Sequence, residues 1–214
     1  RLWRSPPIPF AESLRGRINM NSVPALPDLN ARAFEIAAFV APYCRMPHPD
    51  VVRRFSGSVF PTVRDMRRRE TIDQMGGRTV MWDDNTTPRW ALLWAHGIPD
   101  TGHPKGWTFA HVWGAGKDPD AYTHLANLVM MPEALASLSD KDGPLCNYFR
   151  YHAESVYRWR PGDFDITVKP EGFDTIIWTY FKPNCDPVGS VQGRLQQLKS
   201  RRVRLIRDIL AGQL

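Results

Sequence analysis

The chain has 214 residues, 43% of them hydrophobic, with a net charge of +6 and a sequence pI near 9.5. This length and apolar content suffice for a buried core, which excludes global disorder. The longest apolar run, "AFEIAAFVA", is broken by Glu35 and falls short of the about 18 residues that a membrane span needs, while the basic balance favours an anionic partner, nucleic acid first.

In chain order, residues 1–30 carry Pro6, Pro7, Pro9, Pro24 and Pro27, which no long helix tolerates, so they are expected to form an extended arm. "LNARAFEIAAFVAPYC" follows with Asn30 as N-cap, Ala33, Ile36, Ala37 and Val40 at helical spacing, and Pro42 as the stop. "HPDVVRRFSG" reads as a short second helix. "PTVRDMRRRETIDQMGG" reads as a third, opening near Pro61 and stopped by Gly76-Gly77. It carries Arg64, Arg67, Arg68 and Arg69, which either form a solvated face paired with Asp65, Glu70 and Asp73 or contact phosphate. "WDDNTTPRWALLWAHG" gives a helix with Thr87 as cap, Pro88 in the first turn, an apolar stripe of Trp90, Leu93 and Trp94, and Gly97 at its end. Asp83, Asp84 and Asn85 just before it read as caps or, less simply, as metal ligands.

"WTFAHVW" and "LANLVMM" read as two short strands, and "PEALASLSD" as a helix opening at Pro132. "PLCNYFRYHAESVYRW" is a longer helix whose apolar stripe contains His152, read as a packed core histidine. Residues 161–187 hold one strand-like run, "DTIIWTYF". "VQGRLQQLKSRRVRLIRDILAG" reads as one amphipathic helix, with Leu195, Leu198, Val203, Ile206 and Leu210 on its apolar side and Arg201 and Arg202 among its cations. That helix packs on the body, crosses DNA or mediates a homodimer.

These elements give an α+β fold, a mostly helical body around a central strand–loop–strand–helix unit. Its parts are an arm (1–30), a helical DNA-gripping region (31–106), the central unit and its following helix (107–160), and an irregular segment with a C-terminal helix (161–214), expected to form one domain. In the central unit, "WTFAHVWGAGKDPDAYTHLANLVMM" places His111 at the end of the first strand and Asn127, sixteen positions on, at the opening of the second.

With Asp140 thirteen positions after Asn127, this unit resembles the HNH, or His-Me finger, nucleases, and in particular the McrA-like branch with the form "AHI…NGLxLCxxHHxxFD". The resemblance implies a ββα fold and hydrolysis of DNA phosphodiesters. His111 would be the general base, Asn127 would fix the loop or the imidazole, and one divalent ion, magnesium or manganese, would stabilise charge on phosphate and leaving oxygen. Asp140 is the metal ligand at the matching offset. Ala136 departs from the pattern, standing where a helix histidine usually binds metal, and Ala110, which suits the McrA-like branch, stands where many other relatives carry Asp before the base. Glu133 or His124 is expected to substitute as ligand. Lys105 in "GHPKGW" is a candidate phosphate contact, with His103 beside it a loop residue.

Other chemistries lack their residues. There is no GxGxxG or Walker A loop, no nucleophile elbow and no HExxH. Cys44, Cys146 and Cys185 lie far apart with no CxxC, which fits neither a zinc ribbon nor a disulfide framework and suits reduced thiols in a cytoplasmic protein. No internal repeat, low-complexity tract or secretory signal is visible. The chain opens on Arg1 rather than Met, so upstream residues are expected. Two rival readings remain: a non-catalytic nucleic-acid binder on a degenerate HNH unit, and an α+β protein-interaction module.

Overall fold

The computed structural model describes residues 27–100, 105–141 and 143–213. It is α+β. Most of the proline-rich arm, with His103, lies outside the described residues.

Helix α1 (Ala33–Val40) is preceded by a 3-10 turn at Asn30–Arg32 and followed by another at Ala41–Tyr43, where Pro42 ends the α-helical ladder. Leu29 rather than Asn30 occupies the cap position. Helix α2 (Pro49–Val52) is a single turn capped by His48, whose ring nitrogen accepts the Asp50 N–H.

The expected third helix is absent. Its residues form strands β1 (Thr62–Arg64) and β2 (Ile72–Met75), which flank β3 (Arg78–Asp83) in the order β1-β3-β2. Gly76 and Gly77 both have positive φ, 57° and 76°, and make the two-residue turn of the β2–β3 hairpin rather than a helix stop. Arg67, Arg68 and Arg69 therefore lie on the turn between β1 and β2. Arg64 ends β1.

Helix α3 (Thr86–Ala95) follows β3 at once. Asp83 caps it from the strand, its Oδ2 accepting the Thr87 N–H at 2.8 Å and the Thr87 hydroxyl at 2.9 Å. Trp90 and Trp94 stack at 4.6 Å on the buried face, and Gly97 at φ 73° ends the helix.

Strand β4 (Trp107–His111) pairs antiparallel with β5 (Leu128–Pro132), His111 opposite Leu128 and Trp107 opposite Pro132. The segment after β5 is a 3-10 helix at Glu133–Ser139, and α4 (Cys146–Tyr157) comes next. The run "DTIIWTYF" forms no extended strand. It contributes one bridge, Tyr180 to Met46, and Arg45 bridges in turn to Met130 of β5. His152 is buried as expected, its Nε2 2.8 Å from the Tyr180 hydroxyl.

The C-terminal amphipathic run is two helices, α5 (Pro187–Gln197) and α6 (Arg201–Leu210). Leu198 turns extended, and the Ser200 hydroxyl accepts the Val203 N–H to start α6. Val203 and Ile206 are buried while Leu198 and Leu210 are exposed, so the apolar stripe does not run unbroken across the join. Helix α5 packs on α3 and α6 on β3. One continuous apolar core runs from Ala37 through Trp94, Leu128 and Phe149 to Ile206, joining the three segments that the sequence divides at 106 and 160. Among the described residues no helix is long and apolar enough to cross a membrane.

Candidate active site

The β4–β5 pair brings His111 and the start of the 112–127 loop to the wall of a cavity of about 570 Å³. His111 ends β4, and its ring stacks on Tyr122 at 5.3 Å with planes 10° apart. Its Nε2 lies 3.0 Å from the Tyr122 carbonyl oxygen. A carbonyl only accepts, so Nε2 carries the proton and Nδ1, which has no hydrogen-bond partner among the described residues, keeps the lone pair. Burial, opposed by the Tyr122 carbonyl bond and reinforced by the Arg64 charge, lowers the His111 pKa to about 4. The imidazole is thus neutral near pH 7.

Tyr122 is itself held from the opposite side. Its hydroxyl donates to Asp83 Oδ2 at 3.1 Å and accepts the Asn85 N–H at 2.9 Å. The ring and carbonyl that position His111 are therefore anchored to the junction of β3 and α3.

Asn127 is fully buried and touches the loop rather than the imidazole. Its Oδ1 accepts the Trp113 N–H at 2.9 Å and its Nδ2 donates to Ala121 O at 2.9 Å. One amide side chain so ties the first turn of the loop to its last. At the loop's middle, Gly116 O accepts the Arg64 N–H at 2.7 Å, fixing it to the end of β1. A Cβ at Gly116 would stand 3.2 Å from the Arg64 Cβ, a tight approach that a glycine leaves open.

Asp140 shares the cavity with His111 and is its one carboxylate among the described lining residues. Ala136, where the resemblance expects a ligand histidine, and Ala110 line it too. His124 does not join them. It is buried in the 3-10 turn before β5, its Nδ1 accepts the Ala126 N–H, and its ring stacks on Trp159 at 4.1 Å. Glu133 is exposed beside Gly106. Among the described residues no group of three or more His, Cys, Asp or Glu side chains converges to hold a metal. The donors fit a hydrated magnesium or manganese ion shared between Asp140 and a substrate phosphate, since magnesium keeps several waters and takes one or two carboxylates, but not a preformed protein cage.

The basic candidates divide sharply. Arg64 lines the cavity and forms no side-chain hydrogen bond or ion pair among the described residues. Arg67 lines an adjoining groove with Lys117. Arg68 is paired with Asp73 at 2.8 Å and lies over the Trp82 ring. Arg69 sits 3.7 Å from Asp84. Lys105 is exposed in the turn before β4, and Arg201 is exposed at the start of α6. Arg202 is only 9% exposed, and its guanidinium meets Glu70 at 3.2 Å, Asp83 at 3.4 Å and Asp84 at 3.1 Å. Arg202 is therefore a buried ion-pair centre rather than a phosphate contact, because its charge is already met by three carboxylates. The same contacts occupy Asp83 and Asp84, which serve as cap and counter-ion rather than as metal ligands.

Three further residues reach the site: Lys141 and Arg150, which line the cavity, and Tyr122. Arg150 had one sequence signal, a cation set among the aromatic residues of "CNYFRYH" on α4. Nothing local in the sequence singles out Lys141 or Tyr122.

Comparison with protein-family models, with curated proteins and with solved structures finds no match to this chain.

Proposed function

We propose that the chain is an HNH-like, metal-assisted endonuclease that hydrolyses DNA phosphodiesters, with His111 as general base. The observation that carries this reading is an imidazole anchored through Nε2, with Nδ1 unpartnered, in one cavity with Asp140 and with the cations Arg64, Lys141 and Arg150. Those cations form no ion pair among the described residues. In the proposed reaction Nδ1 of His111 takes a proton from water, the water oxygen bonds to phosphorus, the bond from phosphorus to the leaving sugar oxygen breaks, and that oxygen takes a proton from solvent water. Tyr122 holds the imidazole in the tautomer that accepts that proton. Asn127 keeps the loop closed so that the Tyr122 carbonyl stays in place. A divalent ion bound at Asp140 would supply charge stabilisation at the phosphate oxygens.

The low pKa of His111 sets a condition. An imidazole that loses its proton near 4 is a weak base in the empty site, and a bound phosphate raises its basicity by placing negative charge beside it. The test is cleavage of supercoiled plasmid with magnesium or manganese. Wild type nicks or linearises it, EDTA stops the reaction, and His111→Ala abolishes cleavage while duplex binding persists. A wild-type chain that cleaves nothing with magnesium, manganese or nickel overturns the enzymatic reading.

A second reading is favoured by Ala110 and Ala136, which present methyl groups to the cavity where ligands are expected. On it the chain binds nucleic acid without cutting it, and its signature is salt-sensitive duplex affinity with no turnover. The absence of any duplex binding at moderate salt leaves only a protein-interaction role.

A further inference from the structure

Arg150 projects from α4 into the cavity wall, over the Trp113 ring at 5.3 Å and the Phe164 ring at 5.7 Å. It forms no hydrogen bond or ion pair among the described residues, and its Nε is buried without a partner. Trp113, on the loop that follows β4, lines the same cavity, and its indole Nε1 is likewise buried and unpartnered. Both groups only donate. Contact with aromatic faces favours the half-buried guanidinium, but a buried N–H with no acceptor is costly until one arrives. The buried Arg202 is treated differently: it is given three carboxylates.

We infer that Arg150 and Trp113 form an anion pocket in the His111 cavity that takes a phosphate group, Arg150 through its planar donor fork and Trp113 through its indole N–H. The assignment to a phosphodiester, rather than to another oxyanion, rests on the nuclease reading above. Arg64 and Lys141 add positive charge to the same cavity, and Asp140 is the one carboxylate among its described lining residues. The fork geometry makes arginine, not lysine, the residue suited to hold two phosphate oxygens at once.

The experiment is calorimetric titration of the full chain with inorganic phosphate at low salt, without metal. Wild type binds one phosphate saturably, and Arg150→Gln weakens it at least tenfold. Arg150→Lys recovers part of the loss. Trp113→Phe, which keeps the ring and removes the N–H, weakens binding by a few-fold, and Lys182→Gln, at an exposed position outside the cavity, leaves it unchanged. Circular dichroism confirms that each variant is folded, and Trp113→Phe with the wild-type titration suffices if Arg150→Gln is not. Failure of wild type to bind phosphate, or binding by Arg150→Gln and Trp113→Phe equal to wild type, overturns the pocket. The two proposals fail separately. Arg150-dependent phosphate binding with no DNA cleavage removes the nuclease reading and keeps the anion pocket. Cleavage with unchanged KM and kcat in Arg150→Gln removes the pocket and keeps the nuclease.

Discussion

Arg202 lies beneath α6 with Glu70, Asp83 and Asp84 around its guanidinium, whereas Arg150 lies over Trp113 and Phe164 with no carboxylate partner among the described residues. The first arrangement joins the C-terminal helix to the β1-β3-β2 sheet and meets the guanidinium charge with carboxylates of the chain itself. The second stabilises little within the chain and leaves donors facing a cavity. The histidines repeat the lesson. Burial first of all lowers the pKa of His96, His111 and His124 to about 4 and that of His152 to about 3, so a depressed pKa does not mark the site. What marks His111 is that it lines the cavity while the other three are packed against protein. His96, for example, accepts the His48 N–H and stacks on Phe181.

The comparison breaks most visibly through activity. His111→Ala is expected to lower plasmid cleavage by about two to four orders of magnitude, the usual worth of a positioned general base, in a chain that circular dichroism shows to be folded. A variant that cuts like wild type assigns His111 to structure alone.

Next in size is the stability of the paired region. Arg202→Ala leaves the fully buried Asp83 without its counter-ion and Asp84 with Arg69 alone, and should cost about 3–5 kcal/mol in urea denaturation. Burial pulls the Asp84 carboxyl up, but hydrogen bonds from Thr86 and the charge and bond from Arg202 outweigh it and hold the pKa below its ordinary value. Equal losses from Arg202→Ala and Arg150→Gln would erase the contrast between the two arginines. The expected result is a large loss for the first and under about 1 kcal/mol for the second, which breaks no internal ion pair.

Asn127→Ala strands the Trp113 N–H and the Ala121 carbonyl, each worth about 1–3 kcal/mol when buried unpaired. Its cleavage should fall with its stability, because the loop it closes carries Tyr122. Asn127→Asp, which keeps the acceptor for Trp113, should lose less of both.

The last effect is graded with pH and at any one pH is spread over several groups. His96, His124 and His152 have folded pKa values below the ordinary histidine value of 6.5, so the unfolded chain binds more protons between the two. Their contribution to stability is complete above about pH 6.5 and is lost as pH falls toward 4 for His96 and His124 and toward 3 for His152. Each adds up to about 1.4 kcal/mol per pH unit to the slope in that window. His152→Gln should flatten the dependence by one proton's worth in denaturation series at pH 7.5, 6 and 5. An unchanged slope would show that His152 does not titrate differently in the two states.

Much of the candidate site was legible locally. "WTFAHVW" is rich in aromatic and branched residues and "LANLVMM" ends in a short apolar run, as strands do, and they pair in a register that sets His111 opposite Leu128, one residue from Asn127. Asp140, chosen by its offset from Asn127, shares the cavity with His111. The choice of His124 could not be checked locally, since its role as a cap stacked on Trp159 depends on a residue 35 positions later. The arginine run was misread for a related reason. Arg, Met and Glu are good helix formers, so "RDMRRRE" reads as helix, but the ladders from β1 and β2 to β3 outweigh that weak propensity. Gly-Gly was the available signal for the hairpin, since a two-residue turn with both φ positive is the form that glycine admits without strain. The α5–α6 break was signalled by Ser200, a good N-cap inside an otherwise continuous amphipathic pattern.

The sequence by itself determined the α+β class, the two strands of the β4–β5 pair and the apolar content of the core, because these follow from periodicity, turn chemistry and composition. It also determined which side chains carry charge or a lone pair. Only the tertiary structure decided which of them are spent inside the molecule. Arg202, Asp83 and His124 meet their partners from distant segments, while Arg150 and His111 reach a shared cavity with donor or lone pair unmet. Pairing and desolvation depend on distances of a few ångströms between residues far apart in the chain, and no local pattern encodes them.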